Sequence, residues 1–333
     1  MAIKKKRPTL QDVASLVGIT KMTVSRYLRN PESVSKPLQA SIADALDDLG
    51  YIPNKAPDIL SKSTSHAIGV LVPSLTNQVF AEVIRGIEMV LEPAGYQTML
   101  AHYGYSQKAE EARIATLLSY NVDALILSES FHTPRVRKML NTAGIPVIEI
   151  MDSVSPPISQ AVGIDNQAAA FSMTEFMIEK GRRKIVYIAA RMDERTQLKI
   201  QGYKDAMKKY DLEPLCLQTE EASSFTLGAK FLQEALKIQP ETDGIFCTND
   251  DLAIGALFES QKHNLKVPQE ISIVGFHGHD ISKAIVPRLA TVVTPREDMG
   301  RIAAEELLAR LQGIEISEKV IQLPFKLEMG GSL

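Results

Sequence analysis

Apolar positions recur at helical spacing along the first fifty residues of the chain. Residues 10–17 and 21–28 each carry such a stripe, with Gly18 in the turn between them and with Thr9 and Thr20 placed as N-cap residues. A third stripe with the same spacing follows and ends at a glycine. Two short helices joined by a glycine-containing turn predict a helix-turn-helix, and the third helix completes a small helical core.

From residue 67 onward the pattern changes to short apolar runs that alternate with helical segments. The predicted strands are Ile68–Val72, Gln97–Ala101, Ala124–Leu127, Val147–Ile150, Ile185–Ala189, Gly244–Cys247 and Ile271–Phe276, and the clearest helices are Val79–Leu91, Gln107–Tyr120 and Phe171–Lys180. Such alternation predicts parallel sheets covered by helices on both faces. It fits two α/β subdomains, at about 66–163 and 164–292, with residues 295–324 returning to the first.

The pattern therefore predicts three segments with different properties. Residues 1–53 form an all-α helix-turn-helix domain, and residues 66–333 form a larger α/β body. Residues 54–65 between them are polar and too few for a domain, and their Ser- and Thr-rich composition is typical of a flexible linker.

Charge is unevenly divided between these segments. The 333-residue chain has a formal net charge of −3, yet residues 1–63 hold ten Lys and Arg against six Asp and Glu. A basic head on an acidic body is typical of a protein that binds a polyanion, with a solvated basic tail as the alternative. No apolar signal segment and no run of about 18 apolar residues is present, so we expect a cytoplasmic protein without a membrane span. Cys216 and Cys247 lack metal-ligand spacing and suit a reducing compartment.

The outward face of the second predicted helix carries the residue types that read DNA. Arg26 and Lys21 can donate to a guanine edge in the major groove, and Met22 offers apolar contact to a thymine methyl group. Small or basic groups suited to backbone phosphates stand around them, at Thr9, Thr23, Ser25 and Arg29. The alternative is an ordinary surface helix of a helical domain.

Three strings in this head resemble one known family. Thr9–Ala14, Thr23–Arg26 and Gly50–Asn54 are similar, in order and spacing, to the LacI family of bacterial repressors. The resemblance implies a dimer on a pseudo-palindromic operator, and a linker that forms a hinge helix only on specific DNA. In that helix Leu60 matches the residue that wedges into the minor groove and kinks the duplex. Pro57 stands inside the same segment, where the family often has another residue.

The same resemblance implies a periplasmic-binding-protein-like body that closes around a small effector at the carboxyl ends of its strands. The residues that match pocket positions are Ser74, Phe80, Ser128, Lys199, Asn249 and His277. Arg195 precedes Lys199 by four residues, so both cations can share one helical face, with a solvated face as the alternative. Two cations, hydroxyls and an amide suit a polyol that carries a carboxylate.

Further strings narrow the resemblance to the gluconate-regulator branch of the family. They are Pro73–Gln78, Gly95–Tyr103, Phe246–Asp251 and Gly275–Asp280. This resemblance implies gluconate, or a related aldonate, as an inducer that releases the repressor from operator DNA. A corepressor-dependent regulator or an activator of the same family stays open, as does a solute-binding protein that does not touch DNA.

Motifs of enzymes and of cofactor sites are not found. The chain carries no Gly-x-Gly-x-x-Gly after a strand, no P-loop, no Gly-x-Ser-x-Gly and no His-Glu-x-x-His. The string His277–Asp280 could be taken for a metal cluster, but a strand-end loop in a pocket is the better interpretation. We therefore expect neither catalysis nor a cofactor.

Overall fold

The computed structural model describes residues 7–54, 59, 64–153 and 156–333. The chain separates into two compact units, residues 1–65 and residues 66–333. Leu60 and Pro57, to which the sequence assigned the hinge wedge and a shortened hinge helix, lie outside the described residues.

The first unit is a helical head of α1 (Leu10–Val17), α2 (Lys21–Arg29) and α3 (Lys36–Leu49). At the start of α1, the Thr9 hydroxyl accepts the Asp12 N–H at 3.3 Å while the Asp12 carboxylate accepts the Thr9 N–H at 2.7 Å, which forms a reciprocal cap. Gly18 ends α1 with a φ of 74°. The fully or largely buried core residues are Val13, Ala14, Val24, Val34, Ile42 and Ala45.

The body alternates strands and helices along its whole length. Its first half holds β1 (Ala67–Val72), α4 (Gln78–Leu91), β2 (Gln97–His102), α5 (Gln107–Ser119), β3 (Ala124–Leu127), α6 (Pro134–Ala143), β4 (Val147–Asp152) and β5 (Gln160–Ile164). Its second half holds α7 (Asn166–Glu179), β6 (Ile185–Ala190), α8 (Glu194–Lys209), β7 (Leu215–Thr219), α9 (Phe225–Ile238), β8 (Gly244–Cys247), α10 (Asp250–Lys262), β9 (Ser272–His277), α11 (Asp280–Ala284) and β10 (Ala290–Val293). The final elements are α12 (Arg296–Leu311), β11 (Val320–Gln322) and β12 (Lys326–Glu328).

Two six-stranded sheets organise these elements. Their strand orders are β11-β5-β4-β3-β1-β2 and β12-β10-β9-β8-β6-β7. The paired strands are parallel except for β12, which runs antiparallel to β10. Every residue of β3, β4, β6, β8 and β9 is buried, as expected for parallel strands with helices on both faces.

The chain crosses between the two halves three times. It passes from β5 to α7, returns from β10 to α12, and crosses again from β11 to β12. Helix α12 lies directly on α4, because a Cβ at Gly86 would be 2.1 Å from the Glu297 carbonyl oxygen and one at Gly300 would be 2.0 Å from the Val83 carbonyl oxygen. The two glycines therefore permit the close approach of these helices.

A buried ionic cluster fixes the loop after β3. His132 Nδ1 lies 2.7 Å from Glu110 on α5, and His132 Nε2 lies 3.1 Å from Glu149 on β4. Burial opposes the charged imidazolium, but hydrogen bonds to the two carboxylates outweigh it and raise the pKa of His132 to about 9. Ion pairs therefore connect the loop after β3 to helix α5 and to strand β4.

Candidate binding cleft and nucleic-acid interface

The cleft of the body is built from residues that follow the strands at their carboxyl ends. An inner cavity of about 40 Å³ is lined by Asn77, Val79, Phe80, Tyr105, Met151, Ala190, Arg191, Asp193, Arg195, Thr196, Lys199, Thr248, Asn249 and His277. An outer cavity of about 660 Å³ is lined by Pro73, Ser74, Leu75, Thr76, His102, Gly104, Tyr105, Arg191, Met192, Asp193, Glu220 and Ala222. Both halves of the body contribute to each cavity, as expected where parallel strands end at a common crevice.

Among the described residues, helix α8 supplies two of the three cationic side chains that line the inner cavity, and Arg191 is the third. Asp193 caps the helix by accepting the Thr196 N–H at 2.8 Å, which places the first turn of α8 at the cleft. Arg195 and Lys199 then share one face, and their exposed fractions are only 6% and 4%. The alternative of a solvated helix face is therefore wrong.

Arg195 is already neutralised by acidic neighbours. Its guanidinium lies 3.4 Å from Asp193 and 3.9 Å from Glu129. Burial opposes its charge, but these carboxylates hold the pKa of Arg195 above its ordinary value. It also donates to the Ser128 carbonyl oxygen at 2.5 Å, so this side chain of the second half forms a hydrogen bond with the first half.

Lys199 has a different environment. Its Nζ donates to the Thr248 carbonyl oxygen at 3.3 Å, lies 3.2 Å from Nε2 of His277, and stands 3.9 Å from the ring centroid of Phe276. No carboxylate lies within ion-pair distance of it among the residues that the structure describes. Burial therefore lowers the pKa of Lys199 to about 7. Burial and the charge of Lys199 also hold the pKa of His277 well below its usual value, so this imidazole is neutral.

The other predicted pocket residues divide into three groups. Phe80 and Asn249 line the inner cavity, and Ser74 lines the outer one. Asn249 Oδ1 caps α10 by accepting the Leu252 N–H at 3.1 Å, while its Nδ2 donates to the Ser223 hydroxyl at 2.6 Å. Ser128 lines neither cavity and acts instead through the carbonyl oxygen that holds Arg195.

Two buried residues with ionisable side chains, Asp250 and Arg296, form hydrogen bonds that fix the loop carrying His277. The Asp250 carboxylate accepts from the N–H of His279 at 2.6 Å and from the hydroxyl of Thr291 at 2.6 Å. The Arg296 guanidinium donates to the His277 carbonyl oxygen and forms an ion pair of 2.9 Å with Glu82 on α4. His277 itself has a φ of 105°, a conformation that few non-glycine residues adopt, and these contacts maintain it.

Arg191 and Tyr105 are among the cleft residues that were not identified from the sequence. They line both cavities, and both have left-handed backbones, with φ values of 54° and 60°. The Arg191 guanidinium stands 5.5 Å from the Tyr105 ring centroid, across the cleft. The sequence carries no signal for such a pair, because a left-handed non-glycine residue has no reliable local motif.

The head presents the predicted DNA-reading residues on one side of α2. Lys21, Met22 and Arg26 are exposed, and Met22 is the most open of the apolar side chains there at 74%. Val24 packs into the core on the opposite side. The four predicted phosphate-contacting residues are at the surface or half-buried, at Thr9, Thr23, Ser25 and Arg29. An exposed face of this composition can enter a major groove.

Known protein families match both the helical head and the α/β body of the chain. Residues 9–54 match the family described as bacterial regulatory proteins, lacI family, and residues 65–328 match periplasmic binding proteins and sugar binding domain of LacI family. The HTH-type transcriptional regulator GntR of Escherichia coli is 58% identical over 99% of this chain and 100% of its own length. The regulator IdnR of the same species is 44% identical over 99% of this chain and 100% of its own length.

A solved structure has a similar fold. The crystal structure of a LacI-family transcriptional regulator from Silicibacter pomeroyi matches with a TM-score of 0.92 and 32% identity, over 98% of this chain and 99% of that one. Among the described residues, no helix is both long and apolar enough to cross a membrane.

Proposed function

This chain belongs to the LacI family of bacterial regulatory proteins, and on that premise we propose that it represses sugar-acid utilisation genes and is released from its operator by gluconate or a related aldonate. A DNA-binding transcriptional regulator with a helix-turn-helix head is what the family membership establishes. The identity of the effector and the direction of its effect belong to the proposal.

The buried amine of Lys199, which has no carboxylate at ion-pair distance in the described residues, is the observation that carries the choice of effector. A neutral sugar would leave Lys199 without a counter-charge, so the buried amine would either lose its proton or stay charged at a cost in free energy. A carboxylate placed beside Lys199 compensates that charge. The remaining polar groups around it, from Thr248, Asn249 and His277, can bind the hydroxyl groups of an open-chain polyol.

Binding of such a ligand stabilises an arrangement in which both halves of the body contact it. Arg195 already joins the two halves through the Ser128 carbonyl oxygen, and Arg296 on α12 joins them through the His277 carbonyl oxygen. A ligand between Phe80 of the first half and Lys199 of the second adds further contacts across the same cleft. The ligand favours whichever arrangement gives it these contacts, and operator affinity changes if that arrangement holds the heads differently.

The DNA-binding half of the proposal assigns roles within the head. Lys21, Met22 and Arg26 read base edges, while Thr9, Thr23, Ser25 and Arg29 hold phosphates. Two-fold symmetry of a homodimer implies half-sites in a pseudo-palindromic operator. We propose neither a cofactor nor a catalytic step.

A ligand panel tests the effector directly. Gluconate, idonate, their 6-phosphates and glucose are added to the full-length protein, and the melting temperature is measured. A ligand that binds the folded state raises this temperature, and we expect aldonates to raise it while glucose does not. If glucose raises the melting temperature and no aldonate does, sugar acids are not the effectors.

A further inference from the structure

The boundary between the two cavities is a neck formed by polar side chains from both halves of the body. Asn249 Nδ2 donates to the Ser223 hydroxyl at 2.6 Å, and Arg191 donates to the same hydroxyl. Arg191 then stands over the Tyr105 ring, and the Tyr105 hydroxyl accepts from Asn77 Nδ2 at 3.3 Å. These five residues are called the neck below.

Arg191 is the cation of this neck, and its charge is not matched by an acid. Across the described part of the chain, no carboxylate lies within ion-pair distance of its guanidinium. Its hydrogen bond goes to a neutral hydroxyl, and its face lies on a neutral ring. A guanidinium has five N–H donors in a planar fork, so most of them stay available to a ligand.

The backbone holds Arg191 in this position before any ligand arrives. Its φ is 54°, and its N–H donates to the Glu221 carbonyl oxygen at 3.1 Å. Preorganisation of this kind reduces the entropy that binding must remove.

The neck and the α8 cations stand at different depths of the cleft. Lys199 lines only the inner cavity, whereas Arg191 lines both. A ligand that has one end against Lys199 and extends into the outer cavity would therefore pass Arg191. The other charged or titratable groups at the outer side are Asp193, Glu220 and His102, and Asp193 is already bound to Arg195 and to the Thr196 N–H.

We propose that Arg191 forms a second anion subsite, which binds a carboxylate or phosphate at the end of a sugar acid remote from Lys199. This inference rests on the proposed function, because it assumes a sugar acid in the cleft. A six-carbon acid with an anionic group at each end is then a better ligand than gluconate. A neutral terminal hydroxyl gains less from a guanidinium, because hydrogen bonds between charged groups are the stronger ones.

Calorimetry on the full-length protein tests the subsite with three ligands. They are gluconate with one anionic end, glucarate with a carboxylate at each end, and 6-phosphogluconate with a terminal phosphate. In Arg191→Gln we expect the diacid that uses the subsite to weaken about 10- to 100-fold, while gluconate changes by no more than about threefold. Loss for glucarate alone assigns the subsite to a carboxylate, and loss for 6-phosphogluconate alone assigns it to a phosphate.

Two further variants control the measurement. Arg135→Gln makes the same change at an exposed arginine on α6 that lines neither cavity, and it should leave every affinity unchanged. Arg191→Lys keeps the charge without the fork and should retain part of the preference for the diacid.

The inference fails if gluconate and both diacids lose the same factor in Arg191→Gln, or if the wild-type protein binds gluconate but neither diacid. The proposed function fails separately, if the wild-type protein binds none of the three acids.

Discussion

Nζ of Lys199 lies 3.2 Å from Nε2 of His277, and this contact brings together two buried nitrogen bases with no carboxylate beside either at ion-pair distance in the described residues. The imidazole is neutral, and the pKa of Lys199 is lowered by burial to about 7. Among the described residues, the one carboxylate that lines the inner cavity, Asp193, is bound to Arg195 and to the Thr196 N–H and not to the easily protonated amine of Lys199. Such a site gains its full positive charge when an anion enters.

Aldonate binding should consequently be linked to proton uptake. A carboxylate beside Lys199 raises its pKa in the complex above the value of about 7 in the free protein. Affinity should be constant below that pH and should fall above it, by up to about tenfold per pH unit. Calorimetry at pH 8 in two buffers of different ionisation enthalpy should show uptake of nearly one proton. Absence of proton exchange between pH 7 and 9 would exclude Lys199 as the carboxylate partner.

Replacement of the lysine tests the same partner by a different route. Lys199→Met keeps an unbranched side chain in the cavity but removes the amine, so gluconate affinity should fall about 10- to 100-fold. The operator complex should then persist at gluconate concentrations that release the wild-type protein. Lys204→Met, at an exposed position of the same helix, is the matched control. If gluconate releases both variants from the operator at the same concentration, Lys199 does not bind the carboxylate.

Arg26 tests the assignment of base reading to α2. Because its guanidinium is exposed and can form two hydrogen bonds to a guanine, Arg26→Ala should weaken operator binding by about 1–3 kcal/mol and broaden sequence preference. Arg29→Ala, at a predicted phosphate contact, should instead weaken operator and random DNA alike. Titrations of both duplexes with both variants separate the two roles. If Arg26→Ala loses the same affinity for operator and for random DNA, Arg26 contacts phosphates and does not read bases.

The buried His132 cluster predicts a pH dependence of stability. The folded-state pKa of about 9 exceeds the unfolded value of about 6.5, so the folded protein binds the extra proton. The stabilisation, on the order of 3 kcal/mol, is complete below pH 6.5 and is lost as the pH rises through 9. The double variant Glu110→Gln/Glu149→Gln should lack this loss, because neutral amides do not favour the imidazolium.

Urea unfolding at pH 6, 7.5 and 9 measures the free energy of unfolding of both proteins. The comparison uses the difference between them, since Lys199 titrates in both and has the opposite effect on stability. Glu305→Gln, at an exposed glutamate of α12, should behave like the wild-type protein. Parallel curves for the wild-type protein and the double variant would show that His132 carries no such charge.

The sequence predicted those features that depend on local spacing. The shared face of Arg195 and Lys199 follows from a four-residue interval on a helix, and the caps at Thr9 and Thr20 follow from residue type. The LacI-family resemblance, the two-part fold and the parallel sheets are confirmed. The residues assigned to DNA and effector contacts stay predictions.

Features that depend on distant residues were not predicted. His132 meets Glu110 and Glu149 only because α5 and β4 pack around its loop, and Arg191 meets Tyr105 only across the cleft. The strands β5, β7 and β10 were also not predicted; each contains a Gln or Thr residue, which interrupts the continuous apolar run that identifies the equally short β3 and β8. Helix α7 begins at Asn166 rather than at the predicted Phe171, because Asp165 caps it by accepting the Ala168 N–H at 2.8 Å.

Operator affinity with and without gluconate tests the central claim most directly. Fluorescence anisotropy on a labelled operator and on a random duplex is measured for the full-length protein, with the cleft empty and with gluconate at saturation. We expect operator affinity to fall about 5- to 150-fold with gluconate, as is typical of allosteric coupling, while random-duplex affinity stays the same. Equal operator affinity in both states, with gluconate binding shown by calorimetry, would contradict the account.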